Sequence, residues 1–266
     1  MADILHVLNG TSTLRGFEQT GLEGDTMVWH EVLSEGPVEE DIGSGHFWKK
    51  RAEWICKTFG ENLGEYIAKV EEPLSQLSEP YREINLWFEF DLHCQVNMLG
   101  VIEMLRKHTD LSEPDIFLIC PDSYPGMNDF RGMGQLNGHQ LVYLFDNIRV
   151  QLGEPDFVIA AEAWQIYATS DAGKLEEYLN QDDYYWANLY MLKPALQAHL
   201  KRLKSNENGL SYVEQKLLDI YNSGYTDKHS IYQTFWREDR IYGMGDLEID
   251  IYLKRLKEKG LITIEL

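Results

Sequence analysis

Residues 83–99, EINLWFEFDLHCQVNML, join an apolar strand directly to a helix. Residues 83–88 predict a buried β-strand, and the apolar residues of 92–105 recur at helical spacing. Three other short apolar runs predict strands, at 4–8, 26–29 and 115–120. Strands that alternate with helical stretches predict an α/β fold, with a parallel sheet flanked by helices on both faces.

The chain divides into three predicted segments. Residues 1–135 would form an α/β ligand-binding domain, and 136–204 a helical region that packs on it. Residues 205–209, SNENG, have the composition of a linker. The tail, 210–266, predicts three helices followed by a strand at 261–266, which resembles a winged-helix module.

Composition limits the function classes. The 266 residues are 44% hydrophobic, and 44 acidic against 24 basic residues give a net charge of −20. Such a chain repels phosphate backbones and anionic membranes. The net charge does not exclude a local pocket for a small anion. Residues 1–10 have neither a basic n-region nor an apolar h-region, so we expect no signal peptide, and no apolar run is long enough to span a bilayer. The three scattered cysteines suit a reducing cytoplasm.

Polar residues follow each predicted strand. The carboxyl ends of parallel strands share one crevice, where ligands bind in open α/β sheets. The ligand-binding residues expected there are Asn9, Gly10, Thr11, Glu35, Gly36, Gln95, Arg131 and Gly134, together with Arg51 from the first half of the chain.

The turn Asn9-Gly10-Thr11 would place free backbone N–H groups at a helix start, where they attract phosphate or carboxylate. The alternative is a plain strand-to-helix turn in which Thr11 or Ser12 caps the helix. The stretch is neither a dinucleotide fingerprint nor a P-loop, because it lacks their glycines and lysine.

Glu89 and Asp91 close the third strand. Two carboxylates there could hold Mg²⁺ or Mn²⁺ against a phosphate, or act as a catalytic acid and base. The alternative is that Asp91 caps the next helix and Gln95 completes the cap. Capping would make His93 a bystander on the first turn.

Arg51 and Arg131 are the predicted charge clamps, since a guanidinium matches phosphate or carboxylate geometry. Arg51 belongs to the basic triplet 49–51, and the alternative for its two lysines is a solvated helix face.

The same residues resemble an uncharacterised bacterial family known as domain of unknown function eighteen-thirty-five, with its small C-terminal companion domain. The resemblance rests on LHVLNGTSTL (5–14), VWHEVLSEGPV (28–38), LWFEFDLHCQVNML (86–99), FRGMGQL (130–136) and NGLSYVEQKLLDIYNSG (208–224). Thr11 stands where the family usually has an acidic residue, and His30 where it often has Arg. The resemblance implies a bacterial cytoplasmic protein and no particular reaction.

Three function classes follow from these patterns. The first is a binder or metal-assisted hydrolase or phosphoryl transferase of a small phosphorylated or nucleotide-like metabolite. The second is a ligand-sensing regulator with the tail as output. The third is an interaction protein, with a tail that packs or mediates a homodimer. The mixed charge of the last predicted helix argues against DNA binding.

Overall fold

The computed structural model describes residues 3–111, 113–181 and 186–265. Its centre is a five-stranded sheet in the order β2-β1-β3-β4-β5. The first four strands are parallel and β5 is antiparallel to β4. The strands are β1 (Ile4–Asn9), β2 (Asp25–Trp29), β3 (Glu83–Trp87), β4 (Asp115–Ile119) and β5 (Val150–Gln151).

The described residues form eleven α-helices. They are α1 (Thr11–Phe17), α2 (Gly45–Phe59), α3 (Leu63–Tyr66), α4 (Leu92–His108), α5 (Gly138–Asn147), α6 (Glu154–Ala168), α7 (Ala172–Leu179), α8 (Leu192–Leu203), α9 (Tyr212–Asn222), α10 (Lys228–Glu238) and α11 (Asp246–Glu258). No helix in the described part of the chain is both long and apolar enough to cross a membrane.

Helices cover both faces of the sheet, as the strand and helix pattern predicts. On one face α4 is buried along most of its length, because α6 and α8 pack on its outer side. On the other face α1 and α5 cover Leu8, Trp87 and Ile119. The predicted α/β fold is therefore confirmed.

The strand order creates a switch point between β1 and β3. From β1 the chain runs to β2 on one side, then crosses back over β1 to form β3 on the other. The connections therefore leave these two neighbours in opposite directions, which opens a crevice at their carboxyl ends. Asn9 ends β1 there, and Glu89 lies two residues beyond β3.

The stretch from 210 to 265, here called the C-terminal unit, contains α9, α10 and α11. Ser211 and Glu214 form the predicted capping box. The expected strand at 261–266 is not formed over 261–265, and residue 266 lies outside the described residues. Ile262 and Ile264 alternate into the core as strand residues would, but no neighbouring strand pairs with them. The winged-helix resemblance therefore lacks its β element over 261–265.

Candidate functional site

A cavity of about 460 Å³ opens at the switch point. We call it the main cavity. The carboxyl ends of β1 and β3 form its floor, the glycine-rich segment 131–135 forms one wall, and the C-terminal unit covers it. Six of the sequence-predicted residues line it: Asn9, Gly10, Glu89, Asp91, Arg131 and Gly134.

Three side chains on the floor have atoms that could hold a metal ion. The ligating atoms of Glu89, Asp91 and Cys94 lie within 4.8 Å of one another, and all three residues are buried. Asp91 is there because it caps α4: its carboxylate accepts a hydrogen bond from the Cys94 backbone at 2.9 Å. The predicted capping role and the predicted place in the site therefore belong to one residue.

Glu89 fastens the glycine-rich segment to the floor. One carboxylate oxygen accepts a hydrogen bond from the backbone of Met133 at 2.7 Å, and the other accepts one from the Cys94 thiol at 2.9 Å. A Cβ on Gly132 would approach this carboxylate to 2.9 Å, so the segment passes close to Glu89. The Gly-rich loop is thus an ordered wall of the cavity.

Burial controls the electrostatics of the floor. It raises the pKa of Glu89, and the neighbouring Asp91 carboxylate raises it further. Burial also raises the pKa of Asp91, against the opposing charge of His93. The Cys94 thiol is held well above its ordinary pKa by burial and by both carboxylates. A bound divalent cation would reverse these shifts, because it favours the charged form of each group.

The donor set fits a hard divalent cation that shares its coordination with a ligand. Carboxylate oxygens suit Mg²⁺ and Mn²⁺, whereas a protonated thiol does not. Glu89 and Asp91 would therefore be the protein ligands, while Cys94 donates its proton to Glu89. Mg²⁺ is usually bound in this way, through one or two carboxylates and substrate phosphates.

His93 is part of the site, although the sequence suggests a bystander. Its Nδ1 lies 3.4 Å from a carboxylate oxygen of Glu248 and 3.2 Å from the Ser34 hydroxyl. Burial alone would lower the pKa of His93, but Glu248, Asp91 and Glu89 outweigh it and raise the pKa to about 9.

Two amides fix the end of β1. Asn97 donates to Asn9 at 2.9 Å and to the Glu31 carbonyl at 2.8 Å, and it accepts from the backbone of Leu33 at 3.0 Å. Asn9 in turn donates to the Cys94 sulfur at 3.0 Å. The loops after β1 and β2 are thereby tied to one helix, α4.

Two arginines also line the main cavity. Arg131 is exposed and forms no ion pair with any residue that the structure describes. Arg240 lies with its guanidinium 4.9 Å from the ring centre of Phe90 and donates to the Phe130 carbonyl at 3.3 Å. The cavity therefore combines a buried acidic floor with cationic groups that face solvent.

Arg51 does not reach the main cavity. It is fully buried and donates to both carboxylate oxygens of Glu31, at 2.6 Å from Nη2. Its other hydrogen bonds go to the carbonyls of Val32, Glu35 and Pro37. Because these partners occupy its donors, Arg51 holds the loop after β2 in place and is not free to clamp a ligand.

Thr11 and Gln95 also do not line the main cavity. Thr11 is the exposed first residue of α1, and the turn before it depends on Gly10, whose φ of 78° favours glycine. Gln95 is buried and donates to the Glu89 carbonyl at 2.7 Å. Gln95 therefore holds the backbone of Glu89 in place and does not line the main cavity.

Glu35 and Gly36 line a different cavity, of about 230 Å³, which we call the second cavity. The Glu35 carboxylate accepts hydrogen bonds from Arg202 at 2.6 Å and from Tyr252 at 2.7 Å. Gly36 has a φ of 78° and passes under Trp54, where a Cβ would meet the ring at 2.4 Å. Of the eleven sequence-predicted residues, six thus line the main cavity, two line the second cavity, and Thr11, Arg51 and Gln95 line neither.

Three residues of the C-terminal unit, Arg240, Gly243 and Glu248, line the main cavity, although no pattern in the sequence predicts them there. A Cβ on Gly243 would lie 2.0 Å from the Asp91 carboxylate, so the C-terminal unit seats directly on the floor. No local pattern signals this contact, because tertiary packing alone brings these residues to Asp91.

A comparison with protein-family models gives no match, and a search of curated proteins finds no significantly similar sequence.

Proposed function

We propose that the main cavity binds a small phosphorylated or nucleotide-like metabolite together with Mg²⁺ or Mn²⁺, and that the protein hydrolyses it or transfers its phosphoryl group. The observation that carries this proposal is the position of two buried carboxylates, Glu89 and Asp91, in one switch-point cavity with Arg131 and Arg240.

The charges explain why cation and anion belong together. Two adjacent buried carboxylates repel an anionic ligand, so a phosphate needs a cation between itself and Glu89. A cation held only by Glu89 and Asp91 still lacks most of its ligands, and phosphate oxygens complete the set. Arg131 and Arg240 would then bind the remaining phosphate charge.

Each residue has a distinct task in this account. Glu89 and Asp91 would hold the metal ion, which supplies charge neutralisation of the phosphoryl group when bound. Asn9 and Gly10 line the cavity beside it, but the N–H of Gly10 already donates to the Trp29 carbonyl at 2.9 Å, so this turn shapes the wall and does not supply that donor. Phosphoryl transfer needs chiefly positioning and electrostatic stabilisation, and these groups supply both.

The family resemblance fits the same site. Of the residues on which the match depends, Asn9, Gly10, Asp91 and Gly134 line the main cavity. We infer that the chain is a bacterial cytoplasmic member of that family.

One observation favours a second function, ligand sensing without catalysis. The C-terminal unit contributes Arg240, Gly243 and Glu248 to the cavity, so an occupied cavity would change the contacts of that unit. The three helices of the unit would then transmit ligand binding to a partner, as a winged-helix-like output module would.

Calorimetric titration with Mn²⁺, alone and with nucleotides or sugar phosphates, tests both functions. We expect each phosphorylated ligand that binds to raise the Mn²⁺ affinity. Glu89→Gln should abolish Mn²⁺ binding, and Arg131→Met should weaken the phosphorylated ligand about tenfold or more. Arg15→Met removes an exposed charge from α1 and serves as the matched control.

Release of inorganic phosphate separates the two functions. Turnover that is lost in Glu89→Gln and kept in Arg15→Met supports the enzyme, whereas binding without turnover supports the sensor. If neither metal nor phosphorylated ligand binds the wild type, both proposals fail. Asp91→Asn retains a capping side chain, so it tests the metal with little effect on folding.

A further inference from the structure

The second cavity lies where the loop after β2, helices α6 and α8, and helix α11 meet. Its walls include two residues that the sequence analysis assigned to ligand binding, Glu35 and Gly36, and the main cavity uses neither. The other polar side chains that matter here are His199, Arg202 and Arg255.

His199 has a buried donor with no partner. Its Nδ1 lies 2.9 Å from a guanidinium nitrogen of Arg202, and arginine can only donate, so Nδ1 is the acceptor. The pKa of His199 is well below its ordinary value because of burial and of Arg202, so the ring is neutral and carries its hydrogen on Nε2. Nε2 has no hydrogen-bond partner, although His199 is only 4% exposed.

Four charged side chains line the second cavity, and three of them form ion pairs. Arg202 is paired with Glu35, which Tyr252 also contacts. Glu214, the other acid in the wall, is paired with Lys259. Arg255 forms no ion pair with any described residue, and its guanidinium lies 5.1 Å from the ring centre of Tyr252.

The unsatisfied groups therefore share one chemistry. The His199 ring and the exposed Arg255 both line the second cavity, and both can donate hydrogen bonds; the Nε2–H of His199 is a buried donor without an acceptor. A buried donor without an acceptor costs free energy that an oxygen ligand would recover.

We propose that the second cavity is a binding site for a small oxyanion, a carboxylate or a phosphate monoester, held by Arg255 and by the Nε2–H of His199. The volume of about 230 Å³ limits the ligand to a small metabolite. The site shares neither Glu89, Asp91 nor Arg131 with the main cavity, so it stands without the proposed function.

Calorimetric titration of the full chain with inorganic phosphate, and separately with acetate, malonate and succinate, tests the site. Sodium chloride at matched ionic strength is the reference. We expect saturable binding of one anion per chain, and the two arms show whether phosphate or carboxylate binds better. Arg255→Met should weaken it about tenfold or more, because it removes the charged donor. Lys254→Met removes a neighbouring exposed charge from α11 and should leave the affinity unchanged.

A second pair of variants tests His199. His199→Leu removes the donor and should weaken binding, whereas His199→Gln can place an amide N–H in a similar position and should restore part of the affinity. Circular dichroism checks that each variant folds. If His199→Leu does not fold, the anion affinity of Arg255→Met alone tests the proposed site.

Two results would overturn the proposal. One is the absence of saturable binding of both phosphate and the carboxylates to the wild type. The other is binding that survives Arg255→Met but is lost in Arg131→Met, since that would assign the anion to the main cavity. Failure of Mn²⁺ to bind at Glu89 would leave this proposal intact.

Discussion

A carboxylate oxygen of Glu248 lies 3.4 Å from Nδ1 of His93, although 155 residues separate them in the chain. Glu248 also accepts a hydrogen bond from the Ser34 hydroxyl at 3.1 Å, so one side chain of α11 contacts both the loop after β2 and the first turn of α4. The C-terminal unit is therefore part of the main cavity. A ligand in the main cavity would therefore contact this unit.

Gly243→Ala tests how closely the C-terminal unit seats on Asp91. Gly243 and Gly260 both have positive φ, 61° and 71°, so alanine costs about 1–2 kcal/mol at either position. Only at Gly243 would the new Cβ meet a carboxylate, at 2.0 Å, whereas nothing lies within 4 Å at Gly260. We expect Gly243→Ala to lower the free energy of unfolding by about 1–3 kcal/mol more than Gly260→Ala. Equal losses in urea unfolding would show that the unit does not press on Asp91.

Arg51→Met should destabilise the fold without acting on a ligand directly. Arg51 and Glu31 are a fully buried pair, and removal of one partner leaves an uncompensated charge. We expect the free energy of unfolding to fall by about 3–5 kcal/mol, against less than about 0.5 kcal/mol for the exposed Lys49→Met on the same helix. Chemical denaturation measures both. A stable Arg51→Met protein would refute the structural role.

The contrast within the triplet 49–51 shows where sequence reasoning ends. The sequence predicts that all three basic residues lie on one helix, but only the side chain of Arg51 is buried. Its partner, Glu31, lies on a loop 20 residues away. The hydrophobic periodicity around either residue does not predict this ion pair. The burial of Arg51 could therefore not be predicted from the sequence alone.

Local rules predicted the parts of the site that depend on neighbours in the chain. Asp91 follows an apolar strand and precedes a helix, so its capping position and its place at the sheet edge were both predictable, and the structure has both. The strand-end rule brought Asn9, Glu89 and Asp91 to one edge. Contacts such as that of Glu248 with His93 depend on how the C-terminal unit packs, for which the sequence carries no periodic signal.

His6 should make the fold sensitive to acid. Burial lowers the pKa of His6 from its ordinary 6.5, against a hydrogen bond to the Glu23 carbonyl, and its Nδ1 accepts from Trp87 at 3.2 Å. The unfolded chain thus binds the proton more readily. Stability should therefore fall as the pH drops below 6.5, by at most about 1.4 kcal/mol per pH unit for this group.

His6→Phe keeps an aromatic ring among the neighbouring aromatic rings but removes the titration. We expect lower stability at neutral pH, by about 1–3 kcal/mol, because Trp87 loses its acceptor, and a shallower decline in acid. His139→Gln, at an exposed position on α5, is the control and should keep the wild-type slope. Denaturation across a pH series measures both effects, and identical slopes for wild type and His6→Phe would contradict the account.

The cysteines should differ in reactivity. Burial and the carboxylates of Glu89 and Asp91 raise the pKa of Cys94, and burial raises that of Cys120. The thiolate is the reactive form, so native protein should be alkylated by iodoacetamide first at the partly exposed Cys56. The buried Cys94 should react only on unfolding, and Cys120, which is partly exposed but has a raised pKa, should react more slowly than Cys56. Mass spectrometry locates the label, and native labelling of Cys94 at the rate of Cys56 would contradict the buried site.

The most direct measurement is anomalous diffraction from crystals soaked in Mn²⁺. The account predicts one strong peak between the carboxylates of Glu89 and Asp91, and none there in crystals of the Asp91→Asn variant. A wild-type map without a peak at these carboxylates, or a peak that persists undiminished in Asp91→Asn, would contradict the claim that the switch-point cavity holds a metal ion.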